Sequence, residues 1–103
     1  MLKIEHATEH VVLLASGEID AATEPALEQA GSALLAAHDA TDLVIDFSAV
    51  TFCDSACLRL LLKLRDIAQS TGGSVRVRGA TGIVARVFEV TGLGEIFGVR
   101  PAG

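Results

Sequence analysis

The stretch DLVIDF, Asp42 to Phe47, is a short apolar run between polar ends, the pattern of a strand covered on both faces. Beyond it Cys57, Leu60, Leu61, Leu64, Ile67 and Ala68 recur every third or fourth residue, while Arg59, Lys63, Asp66 and Ser70 fall on the opposite side. That is one apolar stripe on a helix. A doubly covered strand leading into an amphipathic helix demands layers on the sheet, which predicts an α/β fold with DLVIDF at its centre.

The remaining elements follow from the same two periods. Leu2–Glu9 and Val11–Ser16 read as two strands joined by a tight turn near Glu9–His10. A first helix is expected over Glu24–Ala37, with Thr23 as its cap, Pro25 in its first turn, and Leu27, Ala30, Leu34 and Leu35 on one face. The leucine-rich helix should span Ser55–Ser70 and stop at Gly72–Gly73, with Leu58 and Leu62 flanking its buried stripe and partly exposed. SVRVR, Ser74 to Arg78, alternates as a strand with Val75 and Val77 on one side. A last helix, Thr81–Val90, should bury Ile83, Val84, Val87 and Phe88, and Leu93, Ile96, Phe97 and Val99 form a short apolar tail. The order predicts a mixed sheet of four to five strands with helices packed on it, in one domain spanning residues 1–103.

Half of the residues are hydrophobic but only 4% are aromatic, so the core must be aliphatic. A net charge of −5 repels phosphate backbones and anionic headgroups, which argues against nucleic acid or a membrane surface as partner. The longest apolar run, Val11–Ala15, falls far short of the roughly 20 residues of a membrane span. Glu5 and Glu9 stand where a secretion signal needs an uncharged stretch, so a cytoplasmic location with reduced thiols is expected. A mean hydropathy of +0.50 is high for a domain of this size and suggests apolar surface covered by a partner.

No pattern of catalysis emerges, and no catalytic residue, cofactor or metal is expected. Cys53 and Cys57 make only half of a structural zinc site, and His6, His10 and His38 show no ligand spacing. Cys57 lies on the apolar stripe, where a thiol is normally inert, which leaves Cys53 as the one candidate for thiol chemistry. Ser55 lacks the G-x-S-x-G elbow and a nearby histidine. Glu18 and Asp20 alternate on an extended segment and point to opposite sides, which disfavours an acid–base pair. Ser55 itself has two readings. Either Asp54 or Ser55 caps the helix, worth about 1 kcal/mol. Alternatively, the hydroxyl at the helix start accepts a phosphate, which free amides and the positive dipole end stabilise.

VIDFSAVTFCDSACLRLLLKL resembles the phosphorylation segment of STAS domains, in particular the stand-alone bacterial anti-sigma factor antagonists. GEIDAAT is similar to their second signature, and VFEVTGLGEIF to their closing helix and turn. The three motifs occur in the family's order across nearly the whole chain. The resemblance implies that Ser55, directly after Asp54, is the phosphorylation site, and that Asp20, with Glu18, Thr23 and Asp54, helps bind the partner. Leu58 and Leu62, expected as exposed apolar groups beside this polar spot, complete the expected partner surface. The implied partners are an anti-sigma factor with serine kinase activity and a serine phosphatase that acts on the phosphorylated form. The chain departs from the family at Ala56 and Cys57, where a second hydroxyl and a glycine are usual. The same residues therefore also fit a STAS binding or scaffold module that is never phosphorylated, with Ser55 as a cap alone.

Overall fold

The computed structural model describes residues 2–6, 10–38 and 41–99. Within them the chain runs β1 (Leu2–His6), β2 (His10–Ile19), α1 (Glu24–Ala37), β3 (Asp42–Cys53), α2 (Ser55–Ser70), β4 (Ser74–Arg78), α3 (Gly82–Val90) and a short α4 (Gly94–Phe97). The strands form one sheet in the order β1-β2-β3-β4. β1 pairs antiparallel with β2, and β2–β3 and β3–β4 are parallel, as βαβ crossovers through α1 and α2 require. This is the mixed α/β sheet expected, with β3 inside it.

Of the expected hairpin turn, residues 7–9 lie outside the described residues, and His10 opens β2 rather than ending the turn. β3 is longer than DLVIDF alone indicated. Across two register shifts it keeps pairing with β2, through Ser16↔Ala49 and Gly17↔Val50 after the first and through Glu18↔Phe52 and Ile19↔Cys53 after the second. Such bulges break the alternation by which a strand is recognised, so the second half of β3 was hidden in the sequence.

Val11, Leu13, Ala15, Leu43, Ile45, Phe47, Val75 and Val77 line one sheet face and join buried residues from α1, α2, α3 and α4 in a single core. Phe47 meets Phe88 edge-on with centroids 6.0 Å apart, and Phe88 meets Phe97 at 6.2 Å, so aromatic edges seat α3 and α4 against β3. α1 and α2 approach closely at Gly31, where a β-carbon would come within 2.8 Å of Leu64 Cδ1. An ion pair between Lys63 and Glu28 spans the same two helices.

Three expectations about side chains are corrected. Leu58 is buried, only 6% exposed, because α2 packs beside α1 on the sheet and buries a face broader than a single stripe, with Leu58 part of the core cluster. Ile83 is 75% exposed, since the buried line of α3 runs through Val84, Ala85 and Phe88, centred about 150° round the helix from it. Thr23 occupies the cap position of α1 without a side-chain cap bond, and its hydroxyl is used elsewhere.

Candidate functional site

Parallel pairing of β2 and β3 ends at Ile19↔Cys53, so the next residues of the two strands, Asp20 and Asp54, leave the sheet at the same edge. Asp54 then caps α2, and Asp20 opens the turn that leads into α1. Carboxyl ends of parallel strands are where α/β folds place their binding residues, because the loops there converge. The register thus unites GEIDAAT with the turn before α2, segments more than thirty residues apart in the chain.

Asp54 takes the extended conformation of a cap residue, and its Oδ1 accepts the Cys57 backbone N–H at 3.0 Å. Its carbonyl accepts the Leu58 N–H at 3.1 Å. Asp54 is therefore the cap, and Ser55 is the first residue of α2. The Ser55 side chain is exposed, and its hydroxyl makes no hydrogen bond with any described residue.

The facing loop is held by its own polar groups. Asp20 Oδ1 accepts the N–H groups of Ala22 at 3.0 Å and Thr23 at 3.1 Å. Thr23 Oγ1 donates to the Glu18 carbonyl at 2.6 Å and accepts the Asp20 N–H at 2.9 Å. These bonds close the turn between β2 and α1, and they explain why the segment carries Asp and Thr at that spacing. Glu18 stands exposed just before the turn, following Gly17, whose φ of 81° suits glycine.

Around this polar edge the apolar surface differs from the one expected. Leu58 is in the core and Leu62 is half-buried. Phe52 is the apolar group that does face solvent, 43% exposed, opposite Glu18 in the β2–β3 ladder. The sequence reading missed it because it ends the strand at Phe47, before the bulged half of β3; the clue was a phenylalanine three residues before Ser55.

Cys53 and Cys57 are free thiols, both buried beneath the first turn of α2. A hydrogen bond with Cys53 and burial, with the charges of Asp54 and Glu24 adding to them, push the Cys57 thiol far above the usual range. Cys57 is no nucleophile in this state. Among the described residues no group of three or more His, Cys, Asp or Glu side chains is arranged to hold a metal ion. A cleft of about 350 Å³ behind the loop is lined by residues such as Ile19, Ala22, Thr23 and Leu27, with no charged side chain among the described residues that line it.

An exposed, unbonded serine at the first position of a capped helix, beside an Asp-Thr turn, sits in a chain that the family model described as Mlab, STAS domain matches over residues 2–100. The chain belongs to the STAS domain family. The domain is 39% identical over 87 residues to the anti-sigma-F factor antagonist RsfB of Mycobacterium tuberculosis, a match covering 84% of this chain and 69% of that protein. It superposes on the crystal structure of an anti-sigma factor antagonist from Mycobacterium paratuberculosis with a TM-score of 0.79 and 36% identity, covering 99% of this chain and 86% of the other. SpoIIAA in its unphosphorylated form shares the STAS fold, with a TM-score of 0.76 at 22% identity over 93% of this chain and 84% of that one. Among the described residues of the domain, no helix is long and apolar enough to cross a membrane.

Proposed function

We propose that this STAS domain is an anti-sigma factor antagonist, a binding protein rather than an enzyme. Its unmodified form binds an anti-sigma factor with serine kinase activity in the cytoplasm and so frees a sigma factor. Phosphorylation of Ser55 then breaks the complex: the γ-phosphoryl group of ATP passes to Ser55 Oγ, the hydroxyl proton is lost and ADP leaves. A serine phosphatase restores the hydroxyl.

The observation that carries this reading is the division of labour at the start of α2. Asp54 supplies the cap, and the Ser55 hydroxyl is left exposed and unbonded. A serine that served only as a cap would hold that bond itself, so the alternative of an unphosphorylated scaffold has less support. Cys57, which replaces the family's glycine, points into the core and is fully buried, so it does not crowd the surface around Ser55. Similarity to the mycobacterial antagonists supports the choice of partner.

Electrostatics supply the motive. A phosphate brings about two negative charges beside Asp54 and Asp20, on a chain already at −5. A partner complementary to the unmodified edge meets repulsion after modification.

The test is capture of partners from the source cells on immobilised protein, with phosphopeptide mass spectrometry of the protein recovered from the same cells. Capture of a serine-kinase anti-sigma factor by unmodified protein, and its loss on protein phosphorylated at Ser55, is the expected result. Equal capture by both forms would defeat the switch.

A further inference from the structure

Arg59 stands one helical turn beyond Ser55 on α2, exposed, and its guanidinium makes no hydrogen bond or ion pair with any described residue. Side chains four apart on a helix are neighbours, about 5–6 Å between β-carbons. Every Cα–Cβ bond in a helix also tilts towards the N-terminus, so Arg59 leans back towards Ser55 rather than away from it.

The other charged groups that the described residues bring to the start of α2 are acidic. Asp54 precedes it, and Asp20 leaves the sheet at the same edge with Glu18 just before it. Glu24, at the start of α1, acts with Asp54 on the Cys57 thiol and so belongs to the same neighbourhood. Lys63, one turn beyond Arg59, is engaged by Glu28. That leaves one unengaged cation along the helix within a turn of the hydroxyl.

We propose that Arg59 is the intrachain counter-ion of phosphorylated Ser55 and holds the phosphoryl group along the first turns of α2. This inference rests on the reading of Ser55 as the modified hydroxyl. An anion four residues N-terminal to a cation is the favourable orientation on a helix. Guanidinium also suits the group, because its planar fork engages two phosphate oxygens at once, which an ammonium does not. The switch then changes the surface twice over. Unmodified protein presents a free hydroxyl and a free guanidinium, and phosphorylation occupies both while adding negative charge.

The experiment installs phosphoserine at position 55 during synthesis and follows its second ionisation by ³¹P NMR. That ionisation lies near pH 6 in phosphoserine generally. The Arg59→Ala variant should titrate about 0.15 to 0.4 of a pH unit higher than the phosphorylated wild type, because the cation that favours the dianion is gone. Arg59→Lys should fall between them. In about 1 M salt the difference should shrink as screening shortens the reach of the pair. Arg86→Ala, which removes the same charge from α3, is the control and should leave the titration unchanged. Identical titration of wild type and Arg59→Ala, or an equal shift from Arg86→Ala, overturns the proposal. Failure of the switch reading shows differently: Ser55 would carry no phosphate in cells, while the installed phosphate would still titrate low beside Arg59.

Discussion

The amide of Cys57 donates to Asp54 Oδ1 at 3.0 Å, which makes the aspartate, not the neighbouring serine, the cap of α2. Two substitutions therefore separate structure from signal. Asp54→Ala should lower stability in urea denaturation by about 1 kcal/mol, the usual worth of a cap. Ser55→Ala should change it by less than about 0.5 kcal/mol, as for an exposed side chain without contacts, and should take up no phosphate from kinase and ATP. An alanine variant phosphorylated as fully as wild type would remove Ser55 from the switch.

Leu58→Ala is expected to act on folding. The side chain is 6% exposed and belongs to the core cluster, so truncation should cost about 2 to 4 kcal/mol by loss of burial and creation of a cavity. Equilibrium denaturation measures it. A cost below 1 kcal/mol would place Leu58 at the surface after all.

Phe52→Ala is expected to do the reverse. With 43% of its surface exposed beside Glu18 and just before Asp54, it should weaken capture of the anti-sigma factor by about 1 to 2 kcal/mol and barely alter the denaturation midpoint. Titration calorimetry with the captured partner provides the comparison. Unchanged affinity would move the apolar part of the interface elsewhere.

Asp46 sets a stability dependence on acid. Burial alone would raise its carboxyl, but hydrogen bonds from Ser48 and from Arg78, together with the Arg78 charge, outweigh that and hold it below its ordinary value of 3.8. A depressed folded pKa means that the unfolded chain takes up the proton first as pH falls. Its contribution is complete above the unfolded value and fades as pH falls through the lower folded one. The stability gap between wild type and Asp46→Asn should accordingly be constant near neutrality and close below about pH 4. A gap that persists at lower pH would show that the carboxylate's charge is irrelevant.

The thiols should be slow to react. Both cysteines are buried, and the Cys57 thiolate is strongly disfavoured, so alkylation at neutral pH should follow unfolding and accelerate sharply in denaturant. Rapid labelling of Cys53 in the folded protein would instead revive a thiol chemistry.

Much of the molecule was legible from local pattern. The bounds of α1, α2 and β4 agree with the apolar periods and end signals in the sequence, because a helix or strand with one apolar face writes its own period. The Asp-Ser pair was placed at the start of α2 for the same local reason. What the tertiary structure alone decided is whatever depends on a second element. Leu58 lies in the core because the packed elements bury a face of α2 wider than the stripe its own period marks. The second half of β3, and with it the exposure of Phe52, exists through bulged pairing with β2. Asp20 stands beside Asp54 because two parallel strands end in register at Ile19↔Cys53. Periodicity states which way a side chain points along its own element, but what waits there is set by long-range pairing, and so the site that needs two loops was assembled only by the fold.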